Sequence, residues 1–139
     1  MRLDERRPST SAVPEAVLDA SALIALLRDE PGAGAVERLL GRAVISAVNW
    51  AEVLQRYRAY GVGTADKRES VEALGVRIEG FSPADAEAAA GLWQPTRNAG
   101  LSLADRACLA LALRLDVPAH TADRDWCKVD VGVEVVLIR

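Results

Sequence analysis

Residues 103–123, LADRACLALALRLDVPAHTAD, decide how this chain folds. From 103 to 115 the side chains are apolar nearly all round after the first turn, which marks a helix packed deep against other structure rather than one lying on the surface. The residues that follow, VPAHTA, read as a short strand, so the amino end of the helix lies close to the core. Upstream the same alternation recurs. A strand near 13–18 is followed by a helix that opens at Ala20 and stops before Pro31-Gly32, and AVERLL forms a second helix ending at Gly41. AVIS at 43–46 is the next strand, and 48–60 a helix with Trp50, Val53, Leu54 and Tyr57 on one face. A further helix is expected over 64–74, from Thr64 to Gly75, then a short alternating strand in VRIEGF. Ser82-Pro83-Ala84-Asp85 launches another helix, with an N-cap, a proline at the first helical position and an acid in the first turn; Pro95 should kink or end it. Downstream, RDWCKV is a turn or short helix and VEVVLI the last strand. Strands alternating with helices give an α/β fold with a mostly parallel sheet covered on both faces.

The length of 139 residues fits one domain with one core, which must be aliphatic because aromatics make up only 4% of the chain. A net charge of -3 excludes a polyelectrolyte that holds nucleic acid by bulk attraction. Any contact with RNA or DNA must then be local, through arginines or a bound cation. Cys108 and Cys127 form no CxxC pair and read as reduced thiols. No apolar run reaches membrane-spanning length and the amino terminus lacks the apolar stretch of a secretory signal, so a cytoplasmic protein is expected, without a membrane partner. Residues 1–12, MRLDERRPSTSA, have the composition of a flexible tail, leaving 13–139 as the single folded domain.

Four acids stand where carboxylates could do chemistry: Asp19 in VLDASAL, Glu52 in NWAEVL, Asp105 in LSLADRAC and Asp123 in HTADRDW. Each also has a plain structural reading. Asp19 and Ser21 fit a helix cap. Glu52 stands four residues before Arg56, as in a solvated helical ion pair. Ser102-Leu103-Ala104-Asp105 has the form of a capping box, and so does Ser82-Pro83-Ala84-Asp85, to which no catalytic suspicion attaches. Asp123 and Asp125 suit a turn. Convergence favours chemistry: Asp19 and Asp123 each end a strand, at the edge where open α/β sheets bind ligands, and Asp105 opens the buried helix between them. Carboxylates gathered there repel unless a cation neutralises them, and Mg²⁺, an oxygen-seeking ion that retains water, answers that need. Arg106 reads equally as a phosphate contact or as the partner of a neighbouring acid. His120, the only histidine, reads as a buried structural residue. No zinc ligand set, Gly-rich phosphate loop or serine-nucleophile elbow is present.

DASALIALL at 19–27, NWAEVL at 49–54, GLSLADRACLALAL at 100–113 and TADRDW at 121–126 together resemble the PIN-domain ribonuclease toxins of the VapC type, over nearly all of 13–139. The resemblance implies a PIN-like α/β/α sandwich in which an acidic quartet, here Asp19, Glu52, Asp105 and Asp123, binds Mg²⁺ or Mn²⁺ and cuts RNA to 5′-phosphate and 3′-hydroxyl ends. In the mechanism this implies, Asp19, Asp105 and Asp123 hold the metal and Glu52 orients or deprotonates water. Ser21 and Thr121 match small hydroxyl residues flanking the family's site and are expected to contact substrate, and Arg106 and Arg124 are the candidate contacts to the RNA backbone. Asp125 is an additional acid beside the fourth. The resemblance also implies a homodimer inhibited by a cognate antitoxin protein. Two rival classes compete with it. A receiver-type signalling module would draw its acids mainly from strands and need a lysine opposite, which is not found; a catalytically silent PIN-like domain would only bind RNA or protein.

Overall fold

The computed structural model describes residues 13–139, and the expected tail at 1–12 lies outside the described residues. Five strands, β1 (Ala16–Leu18), β2 (Ala43–Ser46), β3 (Val76–Glu79), β4 (Ala119–Thr121) and β5 (Val135–Leu137), form one sheet in the order β3-β2-β1-β4-β5. All four pairings are parallel. The helices are α1 (Ala20–Leu27), α2 (Ala33–Glu37), α3 (Ala47–Ala59), α4 (Lys67–Ala73), α5 (Pro83–Gly91), α6 (Trp93–Thr96) and α7 (Leu103–Leu115).

Side chains alternate across a strand, and here the alternation builds two cores. Leu18 and Ile45 face a cluster with Leu23 and Ile24 of α1, Val36 of α2, Val53 and Tyr57 of α3 and Val71 of α4. Val17 and Val44, one residue earlier, face the opposite cluster with Cys108, Leu109 and Leu111 of α7 and with Trp126. The sheet is thus covered on both faces, an α/β/α sandwich. Helix α7 has the bounds its sequence implies, and six of its residues are buried, from Ala107 through Ala112. Among the described residues no helix is long and apolar enough to cross a membrane, and both cysteines are free.

Several local expectations shift, each for a physical reason. The stretch read as AVERLL begins two residues earlier, at Ala33 after left-handed Gly32, and ends at Glu37 in a chain of turns. Thr64 does not cap α4; its carbonyl accepts from Lys67 N in a turn, and the helix starts there. Helix α5 stops at Gly91, before Pro95, which falls instead within the short α6, where a missing N–H leaves no helical bond unmade. Strand β3 is buried only at Val76, because it is an edge strand with little packed beyond it.

Candidate active site

The strand order places a switch point between β1 and β4: the chain leaves β1 toward β2 on one side, and β4 returns to its other side. Asp19 immediately follows β1 and caps α1, with Oδ1 accepting from Ala22 N at 2.8 Å and from Ser21 Oγ at 2.7 Å. Its Oδ2 accepts from Thr121 Oγ1, at the end of β4, at 2.5 Å. The hydroxyls are braced in turn, Ser21 Oγ accepting from Ala122 N at 2.9 Å and Thr121 Oγ1 from Asp123 N at 3.0 Å. Ser21 and Thr121, expected to touch substrate, therefore position Asp19, and Thr121 is 0% exposed. The reason is geometric: both follow a strand end, one on each side of the same carboxylate.

Asp19 is both a cap and a member of the acidic site. Burial pushes its pKa up to about 6, against the pull of the Thr121, Ser21 and Ala22 hydrogen bonds, and the Asp105 charge pushes the same way. Asp105 does form the capping box, its Oδ2 accepting from Ser102 N at 2.9 Å and its own N donating to Ser102 Oγ at 3.1 Å. Desolvation nevertheless raises its pKa; the Ser102 bonds oppose this, and the Asp123 charge adds to it. Glu52 is raised for the same leading reason, burial, with Asn49 opposing and Asp105 adding. Arg56 acts on Glu52 as a nearby charge, and the carboxylate's hydrogen bond comes from Asn49 Nδ2 at 3.1 Å. The fold thus brings the other three acids, Asp19, Glu52 and Asp123, within electrostatic reach of Asp105. Asp125, by contrast, pairs with Lys128 Nζ at 2.7 Å.

Arg106 acts on the neighbouring Asp105 as a nearby charge, but its hydrogen bonds go elsewhere. Its Nε donates to Thr96 Oγ1 at 3.0 Å and its Nη2 to the Leu101 carbonyl at 3.0 Å, so it braces the segment between α6 and α7. Arg124 is exposed at the start of the 3-10 turn Arg124–Lys128. His120 is buried in β4, with Nδ1 unpartnered and its pKa lowered by burial.

Among the described residues no three His, Cys, Asp or Glu side chains stand close enough to cage a metal ion. Zinc chemistry is a poor match for such a set, whereas Mg²⁺ takes one or two carboxylates and completes its shell with water. The donors are all oxygens, and Asp19 Oδ2 accepts only the Thr121 hydrogen bond among the described residues, which leaves it a lone pair. The residues fit a hydrated hard cation.

A family model described as the PIN domain matches residues 16–132. The chain belongs to the PIN domain family. A search of curated proteins finds no match. Among solved structures, a toxin–antitoxin complex from Klebsiella pneumoniae is 25% identical, with a TM-score of 0.68 over 90% of this chain and 98% of that one. DNA-bound VapBC from Salmonella typhimurium is 13% identical, with a TM-score of 0.67 over 91% and 99%. VapC20 of Mycobacterium tuberculosis, a sarcin-ricin-loop-cleaving toxin, is 17% identical, with a TM-score of 0.61 over 82% and 94%. The PIN fold here is similar to the folds of these VapBC and VapC structures.

One residue beside the acids of this PIN domain escapes a search for acids. Asn49 is 0% exposed, and its Nδ2 bonds both Glu52 and the Ala104 carbonyl, at 3.0 Å, tying α3 to the start of α7 beside Asp105. Its Oδ1 has no partner, although buried. A buried amide left half-satisfied is costly in a core and common where a ligand completes the set. The signal was an asparagine three residues before an acid on one helix.

Proposed function

We propose that this PIN domain is an endoribonuclease toxin that hydrolyses RNA phosphodiester bonds with Mg²⁺ or Mn²⁺ and is held in check by a cognate antitoxin. The observation that carries the reading is electrostatic: Asp19, Glu52 and Asp105 all have raised pKa values, and Asp105 acts on the other two. Such a cluster resists ionisation on its own and suits a divalent ion. Asp19 and Asp105 would hold the ion, with Asp123 beside them directly or through water. When bound, the ion supplies positive charge to a phosphodiester and acidifies water.

The chain's own residues do the rest. Ser21 and Thr121 keep the Asp19 carboxylate in one orientation. Glu52, held by Asn49 and with its pKa raised by burial, accepts the proton of the attacking water. Arg124, exposed at the rim, meets the RNA backbone. Support for the partner comes from the neighbours, several of which are toxin–antitoxin complexes. An arginine of the antitoxin, whose planar fork pairs bidentately with carboxylates, would compete with the metal. A homodimer, implied by the resemblance, belongs to the same reading.

The test is cleavage of a single-stranded RNA by the purified chain with Mg²⁺ or with chelator. Cleavage that requires the metal and disappears in Asp105→Asn supports the proposal; a chain that only binds RNA under both conditions would be the silent binding domain. In cells, toxicity should vanish in Asp19→Asn and on co-expression with the antitoxin, and toxicity that survives Asp19→Asn would place the harm elsewhere.

A further inference from the structure

Trp93 is half exposed, at 50%, whereas Trp50 and Trp126 are buried. Arg97, one turn on, carries its guanidinium over the Trp93 ring, with Cζ 5.2 Å from the centroid. The surrounding surface is polar, with Gln94, Arg97 and Asn98 all exposed, and so differs from the contiguous apolar core of a protein–protein interface. An open indole backed by a cation on a polar surface is what single-stranded nucleic acid uses to stack a base and pair the adjoining phosphate.

Its location ties the pair to the acids. Arg106, next to Asp105, reaches across to Thr96 Oγ1 and the Leu101 carbonyl. Thr96 Oγ1 in turn donates to the Leu92 carbonyl at 2.6 Å, which fixes the turn that bears Trp93. The 3-10 turn Arg97–Ala99 packs against Arg124–Lys128, the turn that follows Asp123. A side chain built at Gly100 would meet Asp125 Oδ2 at 3.9 Å. Two separate braces therefore tie the segment that bears Trp93 and Arg97 to the segments that bear Asp105 and Asp123.

We infer that Trp93 and Arg97 form a stacking subsite for an unpaired RNA base beside the scissile phosphate, with Arg97 pairing the neighbouring phosphate. The inference rests on the ribonuclease reading above and adds the part of the site that selects single strands. Arg106 then acts as a positioning residue, holding the subsite in place relative to Asp105.

The experiment uses the full chain carrying Asp105→Asn with Mg²⁺ present, titrated with oligoadenylate, oligouridylate and a blunt RNA duplex while tryptophan fluorescence is followed. Single strands should quench the emission, adenylate more strongly than uridylate because purines stack better, and the duplex should not. Trp93→Ala should remove the quenching and weaken single-strand binding about 5- to 30-fold, with Trp93→Phe recovering most of the affinity. Arg97→Gln should reduce the slope of log affinity against log salt by roughly one. In the otherwise unaltered chain, Trp93→Ala should raise KM with kcat nearly unchanged. Equal affinity of Trp93→Ala and its parent for single strands overturns the subsite. So does a Trp93→Ala variant whose only change is a fall in oligomeric mass, since the surface would then be a protein interface. A chain with metal that binds and is quenched by RNA yet never cuts it overturns the nuclease reading and leaves the subsite standing.

Discussion

Ser82-Pro83-Ala84-Asp85 and Ser102-Leu103-Ala104-Asp105 are the same local device in two places, and the two aspartates end in opposite electrostatic states. Both sequences close a reciprocal capping box, with nearly equal bond lengths. At Asp85 the Ser82 backbone bond lowers the pKa against burial, and Arg114 adds to it, its Nε 2.9 Å from Oδ1. At Asp105 desolvation outweighs the cap, and of the two charges nearby the acid, Asp123, acts more strongly than the cation, Arg106. The cap is therefore a property of four residues, whereas the chemistry of its acid belongs to what the sheet brings alongside. One box closes a structural ion pair, and the other opens onto a site.

The two boxes should differ most in activity. Asp105→Asn should lower RNA cleavage by about three or more orders of magnitude, while Asp85→Asn leaves it within about twofold once folded protein is equalised. Similar losses in both variants, read by initial rates, would erase the distinction.

The next largest effect is on pH-dependent stability, where the signs differ. Asp19 titrates near 6 when folded and near 3.8 when unfolded, so the folded state holds the extra proton. Without metal, stability should then fall as pH rises from about 4 to 6, by up to about 3 kcal/mol from this group. Mg²⁺ should reverse the loss, and Asp19→Asn should flatten the profile. Asp85 has the opposite sign: its depressed pKa gives stability that is present above the ordinary carboxylate range and lost as pH falls below it. Thermal melts across about pH 3–7 with chelator, for the parent and the two Asn variants, read both limbs. A parent curve that climbs steadily from about pH 4 to 6 would contradict the Asp19 assignment.

Smaller still is the stability contrast at neutral pH without metal. Asp85→Asn removes one partner of a half-buried ion pair and should cost about 1–2 kcal/mol. Asp105→Asn relieves repulsion and should be neutral or slightly stabilising. Denaturant midpoints decide this, and a loss in Asp105→Asn as large as that in Asp85→Asn would make its cap the dominant role. Smallest is the cap alone: Ser82→Ala and Ser102→Ala should each cost about 1 kcal/mol, and equally, because the local geometry is the same.

Much of the fold was legible because its signals are local or periodic. The 103–115 helix and the 43–46 strand have the bounds their residues imply. Three central strands are buried throughout, and the edge strands β3 and β5 are only partly so. Nothing in VRIEGF or VEVVLI announces an edge, since an edge is defined by the strand that is missing beside it. The acids were legible as candidates, but their partners were not. Arg106 read as a phosphate or acid contact because it adjoins Asp105 in sequence, yet its side chain runs to Thr96 and Leu101. Ser21 and Thr121 read as substrate contacts, yet they enclose Asp19 from two strand ends a hundred residues apart in the chain.

The α/β alternation, the caps, the buried helix and the four acids worth considering follow from sequence alone, because each depends on residues within a few positions of one another. Tertiary structure settled the rest: which acid is paired and which is left repelling, that two hydroxyls position Asp19, and that Asn49 joins Glu52 to the start of α7. Those outcomes depend on desolvation and on charges contributed by distant segments. Both vary with distance in space, and distance in space is set by the order of strands in the sheet.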